Sequence, residues 1–291
     1  MPEFPKDSLT RYYRLINLLE NLVNEIDKEY PNDPRWFLFS LRVSRKLLFH
    51  CKGFCLHSAD TLFNETSQKN EENTFVDVPA LFANLRLQID CYSTFHHIFF
   101  DDVDWETKRL RFDLWRYDSH VQRINLEMGI EYDLQQLEEL KSNIENNSLF
   151  KSYEPQKQNF ILDHERQFAN WKFFPSRLSR NGHRISWTEL FQQTGINLEV
   201  MNRAYGFLSM YVHSNFFSVC HLTEMDKRKS YKARNFAITF SSFLLCFAID
   251  DLASKFTSGK KFLEEMKTLD FEIIRSFIDQ GRVKEKNKNF F

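Results

Sequence analysis

Glycine and proline are scarce in this 291-residue sequence, at seven residues each, below their ordinary usage. The seven glycines form no GxGxxG and no GxxxxGK[ST] run. The backbone cradles that Rossmann and P-loop folds build around phosphate are therefore missing. Cysteine is also sparse: Cys51, Cys55, Cys91, Cys220 and Cys246 are odd in number and follow no framework spacing, which implies reduced thiols in a cytoplasmic protein. His50, Cys51, Cys55 and His57 are dense, but no second ligand cluster or finger spacing stands behind them. They read as helical residues, with no metal and no cofactor expected.

Charge of one sign is lacking as well. Lys plus Arg number 39 against 40 Asp plus Glu, which excludes a global attraction to nucleic acid while permitting a local basic patch. The opening MPEFPKDSLTRYY has no basic region followed by an apolar run, so no secretory signal is expected. The longest strongly apolar stretch, Asn235 to Ile249, is shorter than the roughly 20 residues of a membrane crossing and runs into Asp250 and Asp251. A buried helix without membrane insertion is expected there.

Phenylalanine is abundant, at 31 residues, and helical periodicity dominates. Leu15, Leu18, Leu19, Leu22, Val23 and Ile26 form one stripe on a helix over 9–30, which the prolines at 31 and 34 end. Further helices are predicted over 35–57, 79–100, 105–128, 133–146, 186–194, 197–217, 230–256 and 260–280. Asp77 before Pro79 is the clearest helix start, and Gly195 reads as a stop. The stretch 67–74 reads as a polar loop and Gly129 as a separator. The fold class is all-α, a multihelical bundle: N-terminal helices over 1–60 pack on a main bundle over 77–280. A long connection with short helical pieces lies near 147–185, and a basic tail that frays covers 282–291.

The most distinctive segment is NRAYGFLSMYVHSN, from Asn202 to Asn215. Tyr205, Ser209 and His213 are four apart and line one helix face. His213 could act as general acid or base, with Ser209 orienting it or serving as nucleophile and Tyr205 donating to a substrate oxygen. The same spacing equally describes a packed hydrogen-bond column between helices. Arg86 and Asp90 are also four apart, either an internal ion pair or an oriented anion-binding guanidinium. The sequence allows Arg86, Asp90 and His213 to meet across a helix–helix groove. The acidic run Asp101, Asp102, Asp104 and Glu106 reads as capping and solvation rather than a magnesium site. Lys108, Arg109, Arg111 and Arg116 read as a mixed solvated face, which could serve nucleic acid only by gathering with Arg177, Arg180 and Arg184.

The Tyr205-Gly-Phe-Leu-Ser209-Met-Tyr-Val-His213-Ser214 run, with the Arg86-Leu-Gln-Ile-Asp90 helix before it, resembles a bacterial family of helical proteins of unknown function. That family is itself similar in general form to HEPN domains, and the resemblance spans roughly residues 35 to 257. HEPN-like families include RNA-cleaving toxins, antiviral defence effectors and non-catalytic binding modules whose bundles commonly pair. Their nucleases carry a short RxxxxH pattern. Here Leu208 stands at the arginine position, and Arg203 lies ten residues before His213. The resemblance thus implies a bacterial cytoplasmic defence or stress-response module that binds RNA, a nucleotide or a protein partner and forms a homodimer. A metal-independent ribonuclease using His213 and Arg86, and a hydrolase using Ser209, are the enzymatic alternatives; no GxSxG elbow accompanies the second.

Overall fold

The computed structural model describes residues 8–29, 34–58, 61–62, 74–128, 131–163, 168–175, 185–196, 198–213, 216–223 and 225–281. The expected loop at 67–73, the separator Gly129, the basic residues Arg177, Arg180, His183 and Arg184, the residue Asn197 and the tail 282–291 lie outside them. So do the side chains of Asn202 and Phe217.

In chain order the elements are α1 (Ser8–Ile26), α2 (Pro34–Ser58), β1 (Thr61–Leu62), β2 (Thr74–Phe75), α3 (Val78–Phe95), a π-helical turn (His96–Phe100), α4 (Trp105–Asn125), α5 (Glu131–Asn146), α6 (Ser148–Lys151), α7 (Pro155–Ile161), β3 (Leu162–Asp163) and β4 (Phe168–Ala169). They continue with α8 (Trp187–Gln192), α9 (Leu198–Val212), α10 (Phe216–Thr223), α11 (Lys227–Lys255), α12 (Thr257–Glu264) and α13 (Thr268–Gly281). Among the described residues the strands form two antiparallel pairs, β1 with β2 and β3 with β4. The fold is all-α, as the periodicity predicts.

Helix boundaries follow local chemistry. The Asp77 carboxylate accepts from the Ala80 amide at 3.1 Å, so the expected start of α3 is a side-chain cap. Asp104 caps α4 by accepting from the Thr107 amide at 2.9 Å; hydrogen bonds from Thr107 hold its carboxyl below the usual carboxylate range. Gly195 adopts φ 74° just beyond α8, a left-handed conformation that favours glycine. Two predicted helices are each divided in two. The 197–217 helix ends at Val212 before α10, and the 260–280 helix is α12 and α13.

The helices form two compact units, one of residues 1–95 with 191–291 and one of residues 96–190. This grouping cuts across the 1–60 and 77–280 division read from the sequence. The reason is long-range: in the first unit α1, α2 and α3 pack with α11, more than a hundred residues away, and local periodicity does not encode such pairings.

α11 lies at the heart of the first unit, against α1, α3, α12 and α13. It is long and apolar enough to cross a membrane by length and composition, yet 72% of its most apolar window is buried in the protein interior. Its Ser241 hydroxyl donates to Tyr12 at 2.6 Å and also reaches Gln88, so both hydroxyls are paired inside this core. Tyr92 donates to Asp251 at 2.9 Å. Cys51 and Cys55 are buried on α2, and burial pushes the Cys51 thiol up.

In the second unit α4 packs against α5, where Asp133 accepts from His120 at 2.7 Å and pairs with Arg123 at 3.3 Å. Arg111 is fully buried, donating to the His97 carbonyl at 2.9 Å and to Asp101 at 2.7 Å. Its guanidinium also lies near the rings of Phe173 and Phe174. Arg116 is buried too, donating to Gln136 at 3.0 Å. The solvated face expected of these arginines is therefore corrected: each finds partners that make burial tolerable. Asp101 serves as an internal counter-ion rather than a solvated acid.

His97 is buried at 1% exposure beside this arginine. Burial first, and the Arg111 charge second, push its pKa well below the ordinary value of 6.5. The unfolded chain therefore takes up a proton near pH 6.5 that the folded unit refuses, so stability is full above that pH and falls as pH drops below it. The expected slope from this residue approaches about 1.4 kcal/mol per pH unit. Urea unfolding of His97→Gln between pH 7 and 5 should show a flatter dependence than the parent chain.

Candidate functional site

α3 and α9 pack together in the first unit and carry four of the five residues singled out in the sequence. Arg86 and Asp90 occupy one face of α3, and Tyr205 and Ser209 one face of α9. Arg86 Nη1 is ion-paired with Asp90. Its Nη2 donates to the Tyr205 hydroxyl, and its Nε donates to Ser209 Oγ at 3.2 Å. The guanidinium carbon lies 3.7 Å from the Tyr205 ring centroid, within cation–π range. Tyr205 also reaches Asp90 at 3.5 Å, and the Ser209 hydroxyl donates back to the Tyr205 carbonyl at 2.9 Å. The Arg86 side chain is 14% exposed.

His213 stands apart from these four. It follows the last residue of α9, is exposed, and hydrogen-bonds through its backbone amide to the Ser209 carbonyl at 3.1 Å. Among the described residues its side chain makes no hydrogen bond to Arg86, Asp90, Tyr205 or Ser209. Nor does the Ser209 hydroxyl bond to a histidine or a carboxylate, since its partners among the described residues are Arg86 and the Tyr205 carbonyl. Such an arrangement fastens two helices: each of the three guanidinium nitrogens faces an oxygen inside the protein, from a carboxylate, a phenol and a hydroxyl.

The other side of α9 borders a cavity of about 780 Å³. Its apolar surface comes from Phe82 on α3, Ala204 and Phe207 on α9, and Ala233 and Phe236 on α11. Arg203, Lys229 and Lys232 join that lining, and all three are exposed. Phe82, Phe207 and Tyr211 form an edge-to-face cluster with centroids 4.9 to 5.5 Å apart. The Tyr211 hydroxyl is hydrogen-bonded to His221 Nδ1, which fixes the ring that also lines the cavity. Burial raises the Tyr211 pKa.

These groove residues were not among the sequence candidates. Two signals could have marked them: the basic cluster Lys227, Arg228, Lys229, Lys232 and Arg234 immediately before an apolar helix, and Phe82 one turn before Arg86. Among the described residues no three His, Cys, Asp or Glu side chains gather in a metal-binding group. The chain matches no protein-family model, no curated protein and no solved structure.

Breaking the clamp should cost stability. Arg86→Ala is expected to lose about 2–3 kcal/mol, between exposed and fully buried pairs, and Tyr205→Phe about 1 kcal/mol, since the ring contact survives. In a double-mutant cycle of Arg86→Met on α3 with Tyr205→Phe on α9, read by urea unfolding, a coupling near zero would show that the contact does not hold the helices.

Proposed function

We propose that the protein is a non-catalytic helical module that binds single-stranded RNA or a nucleotide in the groove formed by α3, α9, α10 and α11. The observation that supports this is a set of aromatic rings, Phe82, Phe207 and Phe236, bordered by Arg203, Lys229 and Lys232 in one cavity. Single-stranded nucleic acid is bound by this combination, with bases stacking on rings and cations following the phosphates. The near-neutral chain suits a local groove rather than a basic surface. Arg86, with each of its nitrogens facing a neighbouring side chain, supports the groove wall in this reading and does not contact phosphate. The HEPN-like likeness of the Tyr205 to Ser214 run points the same way and suggests a setting in bacterial defence or stress response.

The ribonuclease and hydrolase alternatives receive less support, because His213 lies apart from Arg86 and the Ser209 hydroxyl has no histidine or carboxylate partner among the described residues. Pairing of two copies belongs to the proposal as well. Val212, Phe216 and Val219, on and beside α10, are 45%, 74% and 50% exposed, which suits an apolar contact between chains.

Binding of fluorescent single-stranded RNA, titrated across salt concentrations, tests the proposal. Lys232→Ala should weaken binding and reduce the magnitude of the log–log salt slope by about 0.7. Phe236→Ala should weaken binding by about 1–3 kcal/mol with the slope unchanged. Equal binding by parent and variants would remove the groove as the site. RNA cleavage abolished by His213→Ala would restore the catalytic alternative, and light scattering that reports a monomer would remove the pairing.

A further inference from the structure

The second unit has a cavity of its own, about 470 Å³, lined by α4, β4, the segment that follows β4 and Trp187 at the start of α8. That volume is in the range of small-molecule sites, and its chemistry differs from that of the groove in the first unit. Trp171 and Trp187 meet edge to face with centroids 6.0 Å apart. The Lys172 ammonium lies 4.4 Å from the Trp187 ring centroid and 5.6 Å from that of Trp171. This lysine is only 9% exposed, so the two indoles hold a cation in a fixed place.

α4 contributes a carboxylate to the same cavity. Gln122 Nε2 donates to Asp118 Oδ2 at 2.8 Å and orients it. The cavity wall also has an unmet polar demand. Asn170 is 2% exposed, and its amide nitrogen has no hydrogen-bond partner among the described residues, whereas buried amides are ordinarily paired.

We propose that this cavity binds a guanine base. Flat indole surfaces favour a planar heterocycle. An immobilised lysine favours a ligand edge with acceptors, and guanine presents O6 and N7 side by side. A carboxylate favours an edge with donors, and guanine has its ring N1–H and exocyclic amine there. Adenine places an amine where guanine has O6, facing the cation, and has no ring N–H for Asp118, so the same walls disfavour it. The base can come from a free guanine nucleotide or from a single-stranded RNA. The proposal stands on residues of the second unit alone and does not rest on RNA binding in the first.

Tryptophan quenching and equilibrium dialysis of the full-length chain test it, using guanosine, GMP, adenosine, and short RNAs with either guanine or adenine at the centre. Guanosine or the guanine RNA should bind at least about tenfold more tightly than the adenine counterpart. Asp118→Asn, which keeps size and shape, should remove about tenfold or more of that affinity with thermal unfolding unchanged. Trp187→Phe should retain most of the affinity, whereas Phe236→Ala, in the other unit, should leave guanosine binding intact. Binding of guanosine and GMP assigns the free nucleotide, and binding of the guanine RNA alone assigns a base within RNA. Equal affinity for guanine and adenine ligands, no binding of either guanine form, or full affinity in Asp118→Asn would overturn the proposal.

Discussion

The first unit depends on how one arginine is neutralised. Arg86 carries a charge into the contact between α3 and α9, and a lone charge there would cost several kcal/mol. Asp90, one turn along the same helix, supplies the counter-charge, while Tyr205 and Ser209 supply oxygen acceptors from the facing helix. Because two of these three partners lie on α9, satisfying the guanidinium sets the rotation of that helix. Ser209 and Tyr205 must face α3, and a residue two positions from Tyr205 then lies roughly on the opposite side. Arg203 and Phe207 are therefore turned toward the cavity. The polar column and the groove are two consequences of one constraint, and for that reason the residues most conspicuous in the sequence support the candidate site without forming it.

The groove draws further character from the start of α11. Asp226 caps that helix by accepting from the Lys229 amide at 2.7 Å, but the first turn contains no other acid and carries Lys227, Arg228 and Lys229. Cations at a helix N-terminus add to the positive end of the helix dipole rather than offsetting it. The arrangement is unfavourable for the isolated helix and favourable for an approaching anion. Net charge conceals this, because the basic residues are concentrated at one end of one helix while acids are distributed elsewhere, as along α5 with Glu131, Asp133, Glu138 and Glu139.

What the sequence makes legible is local. The 79–100 helix is present almost to the residue, as α3 and the π-helical turn, because Asp77 and Pro79 mark its start and its apolar periodicity persists. The extra residue per turn over His96–Phe100 leaves no such mark. The i, i+4 spacing correctly pairs Arg86 with Asp90 and aligns Tyr205 with Ser209. His213 continues the spacing but not the site, since α9 ends at Val212 and a four-residue rule holds only while the helix does. The burial of Arg111 and Arg116 is least legible. Their charge predicts exposure, and partners from other segments, Asp101, the His97 carbonyl and Gln136 among them, reverse it.

The same reasoning explains why two chemically distinct cavities can occur in one Phe-rich chain. In the first unit Phe82, Phe207 and Phe236 line the groove beside Ala204 and Ala233, and the cations lie at the exposed edge, so polarity is separated from the apolar surface. In the second unit the rings are tryptophans, and the lysine is drawn between them with its stem buried, so polarity is mixed into the wall. An apolar floor with a charged edge discriminates ligands weakly, by stacking and by charge. A wall with fixed donors and acceptors discriminates strongly, because a wrong ligand leaves a desolvated group without a partner. The greater capacity for specificity therefore belongs to the smaller cavity, although the larger one carries more of the positive charge.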